Sequence, residues 1–163
     1  MFHALYENGN YDPSSNGEGW LLQRLASTSP NVILDVDANL GDYARLALAA
    51  CPKARVYAFE PIPAISLELQ ASLEKDPRVE LFPVALADQN GPLEFDFDSA
   101  NTGNTTAVKG VQSSVHDLAE TERIVVAGLC LDDFCSEHGI DSIDLLKIDV
   151  EGFEASVLRG GLG

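Results

Sequence analysis

Hydrophobic positions along this chain fall into short, nearly unbroken runs and into longer stretches spaced three or four residues apart, and the two patterns take turns. After the breaker Ser29-Pro30-Asn31, the run from Val32 to Val36 reads as a strand buried on both faces. Residues 42–50 then place Tyr43, Leu46, Ala47 and Ala50 at helical spacing, and Pro52 ends the pattern. Residues 55–59 read as a second buried strand. Residues 64–73 read as a second helix with Ile65, Leu69 and Leu73 on its inner face, and residues 79–86 as a third strand. A short amphipathic helix over residues 17–26 precedes this series, with Trp20, Leu21 and Leu25 on one side. Strands alternating with helices of about ten residues imply βαβ crossovers and a parallel sheet.

The middle of the chain changes texture. Leu93-Glu94-Phe95-Asp96-Phe97-Asp98 alternates apolar and acidic residues, as a half-exposed antiparallel strand does, and it follows a turn at Asn90-Gly91-Pro92. Residues 101–106 read as a polar loop and residues 123–127 as another short strand. The alternation resumes with a helix over 131–138, a buried strand over 143–150 and a helix over 151–158 that Gly160-Gly161 stops. The expected architecture is an α/β, Rossmann-like, doubly wound and mostly parallel sheet with a β-hairpin insertion.

Composition narrows the function classes. The chain has 163 residues, one domain's worth at roughly 150 residues per domain, with residues 1–15 a turn-rich, flexible lead-in and residues 16–163 the domain. Twenty-six Asp and Glu against 10 Lys and Arg leave a formal charge of −16, which repels nucleic-acid backbones and anionic lipid surfaces. No stretch reaches the roughly 18 apolar residues of a membrane span, so neither nucleic acid nor membrane is expected as a partner, and the expected location is cytoplasmic. Cys51, Cys130 and Cys135 form no C-x-x-C pair and read as small core residues. His138 falls at a helix end and His116 in a loop. No spacing fits a metal site.

Ligands of open parallel sheets bind outside the carboxyl ends of the strands, and three strand ends here carry unusual residues. The first reads Asp35-Val36-Asp37-Ala38-Asn39-Leu40-Gly41-Asp42-Tyr43, where small residues permit a sharp turn and a close approach to a ligand. At the second, Phe59-Glu60-Pro61, Glu60 lies 19 positions after Gly41, where nucleotide-binding units place an acid that accepts hydrogen bonds from both ribose hydroxyls. At the third, Lys147, Asp149 and Glu151 alternate along one face of an otherwise apolar strand. Charges there need partners or a ligand, and a Lys147–Asp149 ion pair is the purely structural alternative.

Together these segments resemble the FkbM family of S-adenosylmethionine-dependent methyltransferases. The resemblance rests on Asp35-Val36-x-Ala38-Asn39-x-Gly41-x-Tyr43, Ala58-Phe59-Glu60-Pro61, Ala85-Leu86-Ala87-Asp88, Leu131-Asp132-Asp133-Phe134, and Lys147-Ile148-Asp149-Val150-Glu151-Gly152-x-Glu154 with Val157-Leu158-x-Gly160. It implies a class I methyltransferase core, S-adenosylmethionine as cofactor, and methyl transfer to a hydroxyl oxygen of a small molecule or sugar. By the same resemblance the first turn, from Asp35 to Tyr43, holds the methionine part of the cofactor. Glu60, with Pro61 after it, holds the ribose, and Asp88 the adenine edge. Asp149 is the first choice for base or substrate orienter, Glu151 the second, with Lys147 tuning or anchoring them.

Two departures from the family pattern qualify this. Asp37 stands where the family has Gly, so its side chain either crowds the cofactor or attracts the cofactor's positive charge; crowding is the reading adopted here, because Gly serves close approach. The family also continues through about three more strands, so the chain is expected to be an incomplete core whose strand at residues 143–150 has an open edge and self-associates. The competing readings are a non-catalytic methyltransferase relic that binds cofactor or a partner, and a nicotinamide-dependent oxidoreductase, although the turn lacks G-x-G-x-x-G.

Overall fold

The computed structural model describes residues 16–73, 76–97, 122–150 and 152–163. The expected lead-in at residues 1–15, the loop at 101–106, His116 and Glu151 lie outside them. In chain order the elements are α1 (Glu18–Ala26), β1 (Val32–Val36), α2 (Asp42–Ala50), β2 (Arg55–Phe59), α3 (Pro63–Leu73), β3 (Val79–Phe82), β4 (Ala85–Ala87), β5 (Gly91–Phe97), β6 (Glu122–Cys130), α4 (Leu131–His138), β7 (Leu145–Ile148) and α5 (Glu154–Arg159). A four-stranded parallel sheet has the order β3-β2-β1-β7, and a three-stranded sheet the order β4-β6-β5. No helix among the described residues is long and apolar enough to cross a membrane.

Alternation along the central strands divides the core in two. Ile33, Val56 and Ala58 face one side and pack with Leu22 of α1, Ala44, Ala47 and Leu48 of α2 and Leu69 of α3. Leu34, Val36, Tyr57 and Phe59 face the other side and meet Leu86, Leu131, Phe134 and Val157. Each fully buried Leu or Phe contributes about 1.5–3 kcal/mol, so helices clamp the sheet from both faces. The chain steps outward from β1 to β2 to β3, then returns to lay β7 against the free side of β1. Strand order therefore reverses between β1 and β7, which is where a doubly wound sheet opens a crevice at its carboxyl rim.

Several expectations need correction. The strand expected over 79–86 is two strands in different sheets: Pro83, which has no N–H to give a ladder, separates β3 from β4. The expected antiparallel strand is present as β5, paired with β6 from Gly91↔Gly128 to Phe97↔Glu122. β6 is longer than expected and also pairs with β4 in parallel, so the hairpin is part of a second sheet. On α1 it is Leu22 that is buried, while Trp20 is 61% and Leu21 45% exposed. The strand expected over 143–150 shortens to β7. The last helix starts at Glu154, because Gly152 turns at φ 97° and its N–H donates to Glu154 Oε1 at 3.0 Å. At the far end of α5, a side chain on Gly160 would strike the Ala87 carbonyl, so close approach to β4 explains that glycine.

Candidate functional site

The turn that leaves β1 is suspended between its two neighbours. From the β2 side, the Phe59 carbonyl accepts the Ala38 N–H at 2.9 Å, and Glu60 Oε2 accepts the Asn39 N–H at 3.0 Å. From the β7 side, Lys147 Nζ donates to the Asp37 carbonyl at 2.9 Å. The turn is strained enough to need such support, because Asp37 at φ 63° and Asn39 at φ 47° both hold left-handed backbone. Gly41 follows at φ 84°, and a Cβ there would meet Leu69 Cδ1 at 2.6 Å and Leu73 Cδ1 at 2.9 Å. The left-handed backbone favours glycine there, and a side chain would also push the Leu69 and Leu73 methyls aside.

Glu60 is 1% exposed and its second oxygen, Oε1, accepts the Ile62 N–H at 2.9 Å. Burial, reinforced by the negative charge of Asp37, pushes its carboxyl up to about 7 in spite of the two amides. Asp35 and Lys147 are direct register partners on β1 and β7, so their side chains leave the sheet on the same face. Lys147 Nζ lies 3.1 Å from Asp35 Oδ1 and 3.9 Å from Asp149 Oδ2. Burial opposes the ammonium's charge, but the Asp35 and Asp149 carboxylates outweigh it and raise Lys147 above its ordinary value. Burial also raises Asp35, which is fully enclosed and neither of whose oxygens receives a well-formed hydrogen bond. Since Lys147 also donates to a main-chain carbonyl, we assign the pair as ionised. The Tyr43 ring covers the pair from α2, its centroid 5.7 Å from Nζ, and burial holds its hydroxyl well above the usual tyrosine range.

Beside this polar knot lies a crevice of about 410 Å3, its open mouth included, bounded by Val36 and Asp37, by Phe59 and Pro61, by Val84 to Leu86, and by Phe95, Val150 and Phe153. The structure thus brings Asp35, Asp37, Ala38, Asn39, Gly41, Tyr43, Glu60, Pro61 and Lys147 to one rim. Asp149 stands at its edge with its side chain 72% exposed. Asp88 is placed differently: Ser156 Oγ donates to its Oδ1 at 2.9 Å and Arg159 Nε to its Oδ2 at 3.3 Å, so both oxygens face α5. The aromatic wall was missed by sequence reasoning. Phe95 and Phe153 sit edge to face, 6.3 Å between centroids, and the only signal was Phe95's place on the inward side of the alternating β5.

Among the described residues, no group of three or more His, Cys, Asp or Glu is arranged to hold a metal ion. A family model described as the Methyltransferase FkbM domain matches residues 35–163. The chain is 36% identical over 138 residues to 2-O-methyltransferase NoeI of Sinorhizobium fredii, a match covering 80% of this chain and 57% of that protein. It is 32% identical over 155 residues to 31-O-demethyl-FK506 methyltransferase FkbM of Streptomyces tacrolimicus, covering 80% of this chain and 59% of that one. The chain therefore spans little more than half the length of these relatives. The solved structure of methyltransferase FkbM from Methylobacillus flagellatus KT superposes with a TM-score of 0.53 at 16% identity, covering 82% of this chain and 29% of that one, and supports the fold.

Proposed function

Because the chain belongs to the FkbM family of methyltransferases, we propose that it binds S-adenosylmethionine at the strand-tip crevice and transfers a methyl group to a hydroxyl oxygen of a small molecule or sugar. The observation that carries this reading is the junction of Glu60 with the first turn, Oε2 to the Asn39 N–H at 3.0 Å, which sets a buried carboxylate against a close-approach backbone beside an open, largely apolar crevice. Those residues fit the cofactor. The second lone pair on each Glu60 oxygen is available to ribose hydroxyls, the apolar walls suit a flat base, and the charges of Asp37 and Asp149 suit a cation. The names of two relatives, a 2-O-methyltransferase and a 31-O-demethyl-FK506 methyltransferase, describe methyl transfer at an oxygen, which supports a hydroxyl acceptor here.

When bound, S-adenosylmethionine supplies a methyl carbon already activated by positive sulfur. What remains for the protein is to align the acceptor, exclude water and take its proton. Asp149, exposed at the rim and in contact range of Lys147, is the proton acceptor or orienter in this reading. Glu151 lies outside the described residues and stays the second candidate by sequence position; Asp88 keeps its assigned place at the adenine edge only through a side chain released from α5. The unbridged Cys51, Cys130 and Cys135 suit a reducing cytoplasm. Copies of the chain also pair along the outer edge of β7, which meets no other strand among the described residues; sedimentation over a concentration series reads that.

Calorimetric titration of the chain with S-adenosylmethionine and with NAD tests the main proposal. Saturable one-to-one binding of S-adenosylmethionine and none of NAD is expected. Silence with the first ligand contradicts the proposal, and binding of NAD alone favours an oxidoreductase.

A further inference from the structure

We propose that Lys147 is a positioning residue, whose ammonium fixes the shape of the cofactor-facing turn through the Asp37 carbonyl while Asp35 keeps that ammonium charged and in place. The inference rests on the cofactor reading above, and its test separates the two.

The turn is pinned at three successive peptide units. The Asn39 and Ala38 amides are held from the β2 side by Glu60 and Phe59, and the Asp37 carbonyl is held from the β7 side by Lys147 Nζ at 2.9 Å, with the Val36 carbonyl 3.5 Å from the same atom. Removing the β7 pin leaves a turn with two left-handed non-glycine residues supported from one side only. Asp37 lines the crevice, so any relaxation of its backbone moves the crevice wall.

Stability alone does not account for the pair. A buried ion pair gives little net stabilisation over apolar residues of the same volume, and here both Asp35 oxygens are buried without a well-formed hydrogen bond, Oδ1 meeting only the Lys147 ammonium at 3.1 Å. An apolar pair would avoid that penalty but could not donate to a carbonyl. Lys147 is 15% exposed and covered by Tyr43, so its donors are committed to Asp35 and the turn. The carboxylate serves the ammonium, and the ammonium serves the turn.

The test compares the unsubstituted chain, Asp35→Asn, and the double substitution Asp35→Asn with Lys147→Met, which removes both charges together. Three readouts are taken: melting temperature, amide hydrogen exchange at Ala38, Asn39 and Gly41 without cofactor, and the dissociation constant for S-adenosylmethionine. In the double variant we expect near-unchanged melting, exchange at those three amides faster by about tenfold while β1 and β2 stay protected, and affinity weaker by about tenfold. Unchanged exchange and affinity in a folded double variant would overturn the assignment. Should the double variant not fold, Asp35→Asn decides. Without the carboxylate the ammonium is held less firmly, so exchange at the three amides quickens and affinity weakens in the direction of the double variant, and unchanged exchange and affinity in a folded Asp35→Asn chain would overturn the assignment. If the unsubstituted chain binds no S-adenosylmethionine, the cofactor reading fails, and the exchange readout still decides whether Lys147 holds the turn.

Discussion

Asp144 and Glu60 stand at opposite rims of the same sheet with the same hydrogen-bond equipment. Asp144 Oδ2 accepts the Asn31 and Val32 amides at 2.7 and 2.9 Å where β1 begins, and Glu60 accepts the Asn39 and Ile62 amides at 3.0 and 2.9 Å beyond where β1 ends. Their carboxyls nevertheless move in opposite directions. The Val32 and Asn31 amides hold Asp144 below the usual carboxylate range, whereas burial and the neighbouring Asp37 push Glu60 up to about 7. Water makes the difference. The exposed acid gains more from its amides than desolvation takes back, and the enclosed acid loses more hydration than two amides return. The amino rim is therefore built for simple stability, while the carboxyl rim holds a costly arrangement that points to a ligand.

The comparison breaks most visibly at Lys147. Lys147→Met alone strips the counter-charge from a fully buried Asp35 and is expected to cost about 3–5 kcal/mol in chemical denaturation; a loss indistinguishable from zero would mean that Asp35 is neutral in the folded chain. Next is the pH dependence contributed by Glu60. The folded chain binds this proton more tightly than the unfolded chain does, so the contribution is whole below the ordinary value of 4.5 and is lost as pH rises through about 7. Stability from this group should fall across that window by up to about 3 kcal/mol. Glu60→Gln should flatten the slope, and an unchanged slope would assign it to other groups.

Smaller effects sharpen the contrast. Asp37→Gly should relieve the left-handed backbone, raising stability by up to about 1 kcal/mol, and should tighten S-adenosylmethionine binding in calorimetry. Equal or weaker binding by the glycine variant would show that the carboxylate attracts the cofactor rather than crowds it, and Asp37→Asn separates bulk from charge. At the other rim, Asp144→Ala should lower the melting temperature slightly at neutral pH and leave cofactor affinity untouched. The stability that Asp144 contributes is present above its ordinary value and lost as pH falls through its lowered one, so the variant and the original should converge in strong acid.

Much of this was legible in the residues. β1, α2, β2 and α4 begin and end where their apolar spacing and their breakers place them, because local periodicity and burial agree there. The misreadings came from long-range effects that spacing does not carry. Pro83 left the apolar run intact while sending β3 and β4 to different sheets, and α1 turned Leu22 rather than Trp20 or Leu21 into the core. At the site, the alternation of Lys147 and Asp149 along one strand points to the ion pair that the structure has at 3.9 Å. Cross-strand register adds the nearer partner Asp35, a contact that requires knowing that β7 lies beside β1. Phe95 reached the crevice through the second sheet, whose position no local pattern encodes.

Amide chemical shifts recorded during titration with S-adenosylmethionine test the central claim most directly. The account predicts that the largest changes fall at Ala38, Asn39 and Gly41 and at Glu60 and Ile62, with Asn31, Val32 and Asp144 unmoved. Changes concentrated at the Asn31–Asp144 rim, or none at any concentration of the ligand, would contradict it.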